Sequence, residues 1–370
     1  VRVPFLDIPA QHAELAAEIE ATVQHILATG AYVLGPHNKG LEESIASLHG
    51  VDFAIALNSG TDALRIALDA MGIGPGDEVI TTSFTFVATI EAILQVGARP
   101  VFVDIEPVTY QMDPALIESA ITERTRAICP IHLFGQLCDM KAIQAVAAKH
   151  NLMILEDAAQ AILSQHEGVY AGNFGEAATL SFYVTKNLGA AGDGGMILTN
   201  SEEINAKARS LRVHGMGRER YYYDAIGYTS RLAELQAAIL RIKLTKLNEW
   251  TAARQRIAAQ YDKLLADSPV TPPKVLPGNN HTYHQYTVRS KTRDRLQAFL
   301  REHEIDSMIY YPVPLHYHQP YKFLGYEPGS LPVTERTAEE VLSLPVHQHM
   351  SMDQVHFVAQ TIKSFVPTAV

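Results

Sequence analysis

The sequence predicts an α/β protein, a large and mainly parallel sheet flanked by helices, followed by a smaller C-terminal α+β unit. Three observations predict it. Over the first two thirds of the chain, short β-branched runs alternate with helical patterns, the mark of βαβ units. The strand candidates are apolar along nearly their whole length, as suits strands covered on both faces. From Leu232 the pattern changes to long helices, and a proline-rich stretch at 269–278 then breaks the chain.

Each element has its own local reason. DFAIAL reads as a strand, and Asn58-Ser59-Gly60-Thr61 opens the helix TDALRIALDAMGI. Ser59 or Thr61 is its N-cap candidate, with Ala63, Ile66, Ala67 and Ala70 on one face. GPGDEVIT is a turn feeding a strand around Val79-Ile80, and a helix follows SFTF. PVFVDI (100–105), RAICPIHL (126–133) and LMILED (152–157) are further buried strands, the last preceded by the helix DMKAIQAVAAKH. ATLSFYV and GGMILTN read as strands on either side of a lone lysine, Lys186. LAELQAAILRIKLTKLNEW and AARQRIAAQYDKLLAD are the two long helices, and strands are expected near 283–289 and 308–311. These patterns place a domain boundary near residue 250, giving a large domain at 1–250 and a small one at 251–370.

Composition narrows the function. With 47% hydrophobic and 19% charged residues in 370, the chain can bury a large core. A net charge of −10 disfavours a nucleic-acid partner, which asks for a basic surface. No apolar run reaches the roughly 18 residues of a membrane span, and VRVPFLDIPAQHAELAAEIE lacks a secretory h-region. Two cysteines, Cys129 and Cys138, sit in neither a redox nor a zinc spacing. A reduced, cytoplasmic protein is expected.

The stretch SFYVTKNLGAAGDGG (181–195) carries the chemistry. A Walker loop needs its glycines ahead of the lysine and Ser or Thr after it. Here the glycines follow Lys186 and Asn187 comes next, so that reading fails. Two readings of the lysine stay open: an ammonium paired with Asp193, or an amine kept neutral by apolar surroundings and able to condense with an aldehyde. The glycines would then let the backbone pass close to a flat ligand. If the aldehyde is pyridoxal 5'-phosphate, a carboxylate must face its ring nitrogen and donors must meet its phosphate. LMILEDAAQA drives a strand into Glu156-Asp157 at the carboxyl end of the sheet, where open α/β sheets bind ligands. Alternation lets only one of the two acids face a given side, and Asp157, beside Ala158 and Ala159, is the choice. The alternative is that both acids cap the following segment. The helix start at NSGTDAL offers free N–H groups and the Thr61 hydroxyl to an anion, and Ser181 can donate from the neighbouring strand.

NSGTDAL, SFTFVAT, EDAAQA, SFYVTKNLGAAGDGG, VHGMG with GYTSRLAELQAAIL, and YYPVPLHYHQPY follow one another across nearly the whole chain. In this order they resemble the DegT/DnrJ/EryC1/StrS family of sugar aminotransferases, which has the fold-type I architecture of pyridoxal-phosphate enzymes. The resemblance implies that Lys186 holds the cofactor as a Schiff base and Asp157 its ring nitrogen. It implies Gln160 beside the ring hydroxyl, Phe86 stacked on the ring, and Gly60, Thr61 and Ser181 on the phosphate. It further implies a homodimer with shared active sites, Thr229 and Arg231 being the residues lent to the neighbour. Tyr183, Tyr311 and His316 would meet the substrate. The implied reaction carries the amino group of L-glutamate to a keto sugar on a nucleotide diphosphate. SFYVTKNLGA and YYPVPLH resemble most the branch that aminates carbon 3 of dTDP-6-deoxyhexoses. A branch acting at carbon 4, an amino-hydroxybenzoate synthase, and a cofactor-binding regulatory protein without turnover are the alternatives. The chain departs from the family where Thr229 replaces a common Asn and Val184 a common Pro. Relatives with histidine in place of the lysine act as dehydratases, so Lys186 favours transamination.

Sixteen histidines invite a metal, above all the pairs His316/His318 and His347/His349, but no nearby carboxylate completes a zinc set. No metal is expected. Arg218, Arg220 and Tyr221 to Tyr223 suit a diphosphate and a base, or equally a solvated loop over a dimer interface.

Overall fold

The structure, a computed structural model, describes residues 2–366. The outermost ends of the two expected domains, Val1 and 367–370, lie outside the described residues. Seven strands form the main sheet: β1 (Phe53–Leu57), β2 (Glu78–Thr82), β3 (Arg99–Val103), β4 (Thr125–Ile128), β5 (Met153–Asp157), β8 (Ala177–Ser181) and β9 (Gly195–Thr199). Their order is β1-β9-β8-β5-β4-β2-β3. All neighbours pair parallel except at β9, which runs antiparallel to both β1 and β8. Strands β2 and β9 are buried at every position, which is why their sequences lack the alternation of a one-sided sheet. Helices cover both faces, and two apolar clusters result, one centred on Leu41, Leu180 and Leu240, the other on Leu57, Ile66 and Leu155.

The expected strand at 126–133 closes early. Pro130 has no N–H for the ladder, and pairing resumes only as an isolated bridge from Ile131 to Asp157. Three short strands, β6 (Gln165–His166), β7 (Val169–Tyr170) and β10 (Asn279–Asn280), make a small sheet of their own.

The long helical region divides at Thr245-Lys246, giving helices Glu234–Leu244 and Leu247–Leu265, rather than after Trp250 as the pattern suggests. Helix Leu247–Leu265 therefore runs through residue 250. Its start packs Leu247 among the main-sheet residues, and its end packs Ile257, Tyr261 and Leu265 into a third cluster with Val288, Leu342 and Val358. That cluster is built on an antiparallel pair, β11 (Tyr286–Arg289) and β12 (Val341–Leu344). The segment expected as a strand at 308–311 contributes one bridge, Met308 to Ser343. The pairing partner of β11 is instead β12, whose VLSL follows directly on a helix and is too short to announce itself.

Candidate active site

A cavity of about 740 Å³ opens at the carboxyl ends of β5 and β8 and is closed from the C-terminal side by Ile309, Tyr310 and Tyr311. Lys186 enters it from the 182–194 excursion between β8 and β9. That excursion is pinned by Phe182 N–H to Gly194 O (2.8 Å), Val184 N–H to Gly192 O (3.0 Å) and Lys186 N–H to Tyr183 O (2.8 Å). Burial pushes the Lys186 amine down to about 8, although the charge of Asp157 pulls it upward. Among the described residues its Nζ has neither an ion-pair nor a hydrogen-bond partner. Asp193 lines the same cavity without pairing to it. The paired-ammonium reading is therefore not what the structure displays; the amine is available.

Asp157 ends β5 with its carboxylate in the cavity. Oδ1 accepts the N–H of Ala159 at 3.1 Å, and Oδ2 accepts the Thr89 hydroxyl at 2.6 Å. Glu156 faces the other side of the sheet. Its Oε1 accepts the N–H groups of Gly172 and Phe174, both at 3.0 Å, and its Oε2 accepts His132 Nε2 at 3.0 Å. The His132 Nδ1 accepts the Cys138 N–H (3.2 Å), so the ring carries its proton on Nε2 and donates it to Glu156. One acid thus closes a buried network while its neighbour fronts open space.

The helix Gly60–Ala70 begins at the cavity wall. Ser59 is its N-cap, accepting the Asp62 N–H at 3.1 Å, which leaves the N–H groups of Gly60 and Thr61 turned outward from the helix start. Gly60 lies against Ser181 so closely that a Cβ there would sit 2.8 Å from Ser181 Cβ. Gly195 is tighter still, since its Cβ would lie 2.1 Å from Ser59 O. At Gly195 the close approach is of backbone to backbone, not of backbone to a flat ligand, and it holds Ser181 beside the helix start.

Gln160 is fixed by two bonds, its Oε1 accepting the Phe134 N–H at 2.7 Å and its Nε2 donating to the Tyr311 hydroxyl at 3.2 Å. Phe86 is 55% exposed at the cavity edge, 6.3 Å from the Tyr311 ring. Tyr183 lines the same side.

Three sequence-derived residues are not brought there. His316 is fully buried, with Nδ1 at 2.8 Å from Ser83 Oγ and Nε2 at 3.2 Å from Glu335 Oε1, so both ring nitrogens are engaged away from the cavity. Thr229 is exposed and bonds His214 (3.1 Å), and Arg231 lies outside the cavity lining of this chain. Sequence reasoning missed Thr89, Tyr310 and His284. Thr89 stands in SFTFVAT, so the motif held it, but nothing in the order of residues joins it to Asp157 across β4. No group of three or more His, Cys, Asp or Glu side chains among the described residues is arranged to hold a metal.

A free amine of lowered basicity, a carboxylate fronting the same cavity and an open helix start beside Ser181 suit an aldehyde cofactor carrying a ring nitrogen and a phosphate. The donor set fits pyridoxal phosphate, and the sheet order with its single antiparallel strand has the fold-type I architecture of the enzymes that use it. The chain belongs to the DegT/DnrJ/EryC1/StrS aminotransferase family, whose model matches residues 13–363. It is 48% identical, over 99% of both chains, to a pleiotropic regulatory protein of Geobacillus stearothermophilus. It is 44% identical to a UDP-N-acetyl-3-dehydro-alpha-D-glucosamine 3-aminotransferase of Acidithiobacillus ferrooxidans, covering 98% and 97% of the two chains. It is 42% identical to a dTDP-3-amino-3,4,6-trideoxy-alpha-D-glucose transaminase of Streptomyces venezuelae, covering 98% and 96%. Among solved structures, S. venezuelae DesV with a ketimine intermediate superposes over the whole of both chains at TM-score 0.97 and 41% identity. NtdA of Bacillus subtilis with bound PMP covers 97% of this chain, and this chain 85% of it, at TM-score 0.88 and 30% identity.

Proposed function

We propose that this protein is a pyridoxal-phosphate-dependent aminotransferase that moves the amino group of L-glutamate to carbon 3 of a dTDP-linked 3-keto-6-deoxyhexose. The observation that carries the reading is the unpartnered Lys186 amine, held near the carboxylate of Asp157 in one cavity. Two relatives of differing nucleotide, the UDP and dTDP enzymes, both carry position 3 in their names. When bound, pyridoxal phosphate supplies an aldehyde that carries the amino group and a ring that takes up electrons as a bond to hydrogen breaks.

The residues divide the remaining work. Lys186 would hold the cofactor through its neutral amine, a form that reaches roughly a tenth of the population at pH 7 when the pKa is about 8. Its Nζ, unpartnered in the cavity, would also move a proton there, a role worth on the order of 10²–10⁴-fold. Asp157 would face the ring nitrogen and favour its protonated form. Gly60, Thr61 and Ser181 would bind the phosphate, and Gln160, oriented by Phe134 and Tyr311, would meet the ring hydroxyl. Phe86 would pack against the ring, and Tyr183 and Tyr311 would meet the sugar. Thr229 and Arg231 serve the phosphate of a second copy in a homodimer. We assign cofactor binding to residues 1–250 and closure of the cavity to 251–370. We place the protein in the cytoplasm, a setting that suits its two free, buried cysteines.

The 48% identical regulatory relative favours a second reading, a cofactor-binding regulator without turnover. Incubating the purified protein with L-glutamate and a panel of 3-keto and 4-keto sugars on dTDP and UDP separates these outcomes. The reading expects a yellow protein and an NMR-detected amine on carbon 3 of the dTDP sugar. Amination only at carbon 4, or a yellow protein without turnover, defeats it.

A further inference from the structure

Two donors hold the Asp157 carboxylate. One of them, the Ala159 N–H, comes from the same turn and is a consequence of the local backbone. The other is not local. Thr89 lies in the first turn of helix Ala88–Gln95, 68 residues away in sequence, and is only 1% exposed. Its Oγ1 lies 2.6 Å from Asp157 Oδ2, within the range of a hydroxyl bonded to an ionised carboxylate. A carboxylate only accepts, so the hydroxyl proton must point at Asp157. The strand β5 that carries Asp157 and the strand β2 that leads to Thr89 are separated by β4, so the sheet order alone brings them together.

Resting on the reading of Asp157 as the partner of the cofactor's ring nitrogen, we propose that Thr89 is a positioning residue that sets the strength of that partner. Its hydroxyl does two things. It fixes the plane of the carboxylate together with Ala159, leaving lone pairs on both oxygens for the cavity. It also donates a charge-assisted hydrogen bond to Oδ2, which stabilises the ionised carboxylate facing the ring nitrogen. A proton between a carboxylate held this way by a donor and a ring nitrogen stays on the nitrogen. That is the form in which the ring accepts electrons. Without the hydroxyl the proton moves toward Asp157 and the ring becomes a poorer sink.

The test compares Thr89→Val, which keeps the shape and removes the donor, with Thr89→Ser, which keeps the donor. Each full-length holoenzyme is loaded with pyridoxal phosphate labelled with ¹⁵N in the ring, and the ring-nitrogen shift is read at fixed pH. The parent is expected to display a protonated nitrogen, Thr89→Val a shift toward the unprotonated position, and Thr89→Ser the parent value. In parallel, kcat should fall about tenfold in Thr89→Val, equivalent to about 1.4 kcal/mol, with the KM for the sugar unchanged. If Thr89→Val does not fold, Thr89→Ala carries the same comparison. A nitrogen shift in Thr89→Val equal to that of the parent overturns the proposal and leaves the reading of the site intact. So does a failure of Thr89→Ser to restore it. A parent protein that binds no cofactor, or holds it with an unprotonated nitrogen, overturns both.

Discussion

Two lysines meet the same loop, Lys186 on it and Lys243 reaching it from helix Glu234–Leu244. Lys186 and Lys243 are both pushed by burial down to about 8, from an ordinary value of 10.5. Lys243, on helix Glu234–Leu244, spends its ammonium on two neutral acceptors, Gly189 O at 2.8 Å and Gln11 Oε1 at 3.0 Å. It ties the loop after Lys186 to the N-terminal helix Ile8–Ala13 and does not line the cavity that Lys186 enters. Lys186 has no such acceptor and opens on about 740 Å³ beside a carboxylate. A lowered pKa therefore marks burial in both and a nucleophile in only one. What separates them is whether the lone pair, once the proton leaves, meets anything but protein.

The most damaging way to press the comparison is to remove each amine. Lys186→Ala is expected to lower kcat on the order of 10²–10⁴-fold with an unchanged thermal midpoint, whereas Lys243→Met should stay within about threefold of the parent rate. Steady-state assays and thermal melts of both variants check this, and equal losses would erase the distinction.

A second experiment sharpens the electrostatics of Lys186. The Asp157 charge raises its pKa against the larger effect of burial. The rate at which cofactor-free protein captures pyridoxal phosphate should thus rise with pH about a midpoint near 8. In Asp157→Asn the midpoint should move down, because the opposing charge is gone. Stopped-flow absorbance across pH 6 to 10 reads this, and an upward shift contradicts it. The same variant should lose about 10–100-fold in kcat, since an amide cannot hold a proton on the ring nitrogen by charge.

Lys243 makes a prediction about stability. Its folded pKa of about 8 lies below the unfolded value of 10.5, so between those limits the unfolded chain binds more protons than the folded one. Stability from this group is therefore lowest below pH 8 and rises toward pH 10.5, by up to about 1.4 kcal/mol per pH unit. Lys243→Met lacks this term but leaves Gly189 O and Gln11 unpaired at about 1–3 kcal/mol. Its deficit relative to the parent should be small at pH 7 and widen toward pH 10. Urea denaturation of both proteins across that range measures the gap, and a gap that narrows contradicts the assignment.

The smallest effect on activity belongs to His316. With its ring between Ser83 and Glu335, His316→Gln should leave the sugar KM within about twofold. It should destabilise the fold by about 1–3 kcal/mol, read by urea titration. A rise in KM without loss of stability would return His316 to the substrate.

Much of this site is legible in the order of residues. Lys186 is conspicuous because it stands between an aromatic run and small residues, and Asp157 because the strand LMILED ends on it. The Ser59 cap follows from hydroxyl chemistry at a helix start, one of the strongest local signals. Elements escape such a reading where local pattern is silent. VLSL, four residues long, carries too little periodicity to be told from the end of the helix before it, and the break at Thr245-Lys246 has no proline or glycine to announce it.

By itself, then, the chain determined which residues could do chemistry and on which kind of element each would sit, because propensity, capping and alternation act over a few neighbours. Which of those residues meet was decided only by the tertiary structure. The order of strands put the Thr89 hydroxyl on Asp157, aimed Glu156 at His132, turned His316 inward to Ser83, and gave Lys243 two carbonyl oxygens while leaving Lys186 none. Contacts across a sheet depend on strand order and burial, and neither is a property of any local stretch of sequence.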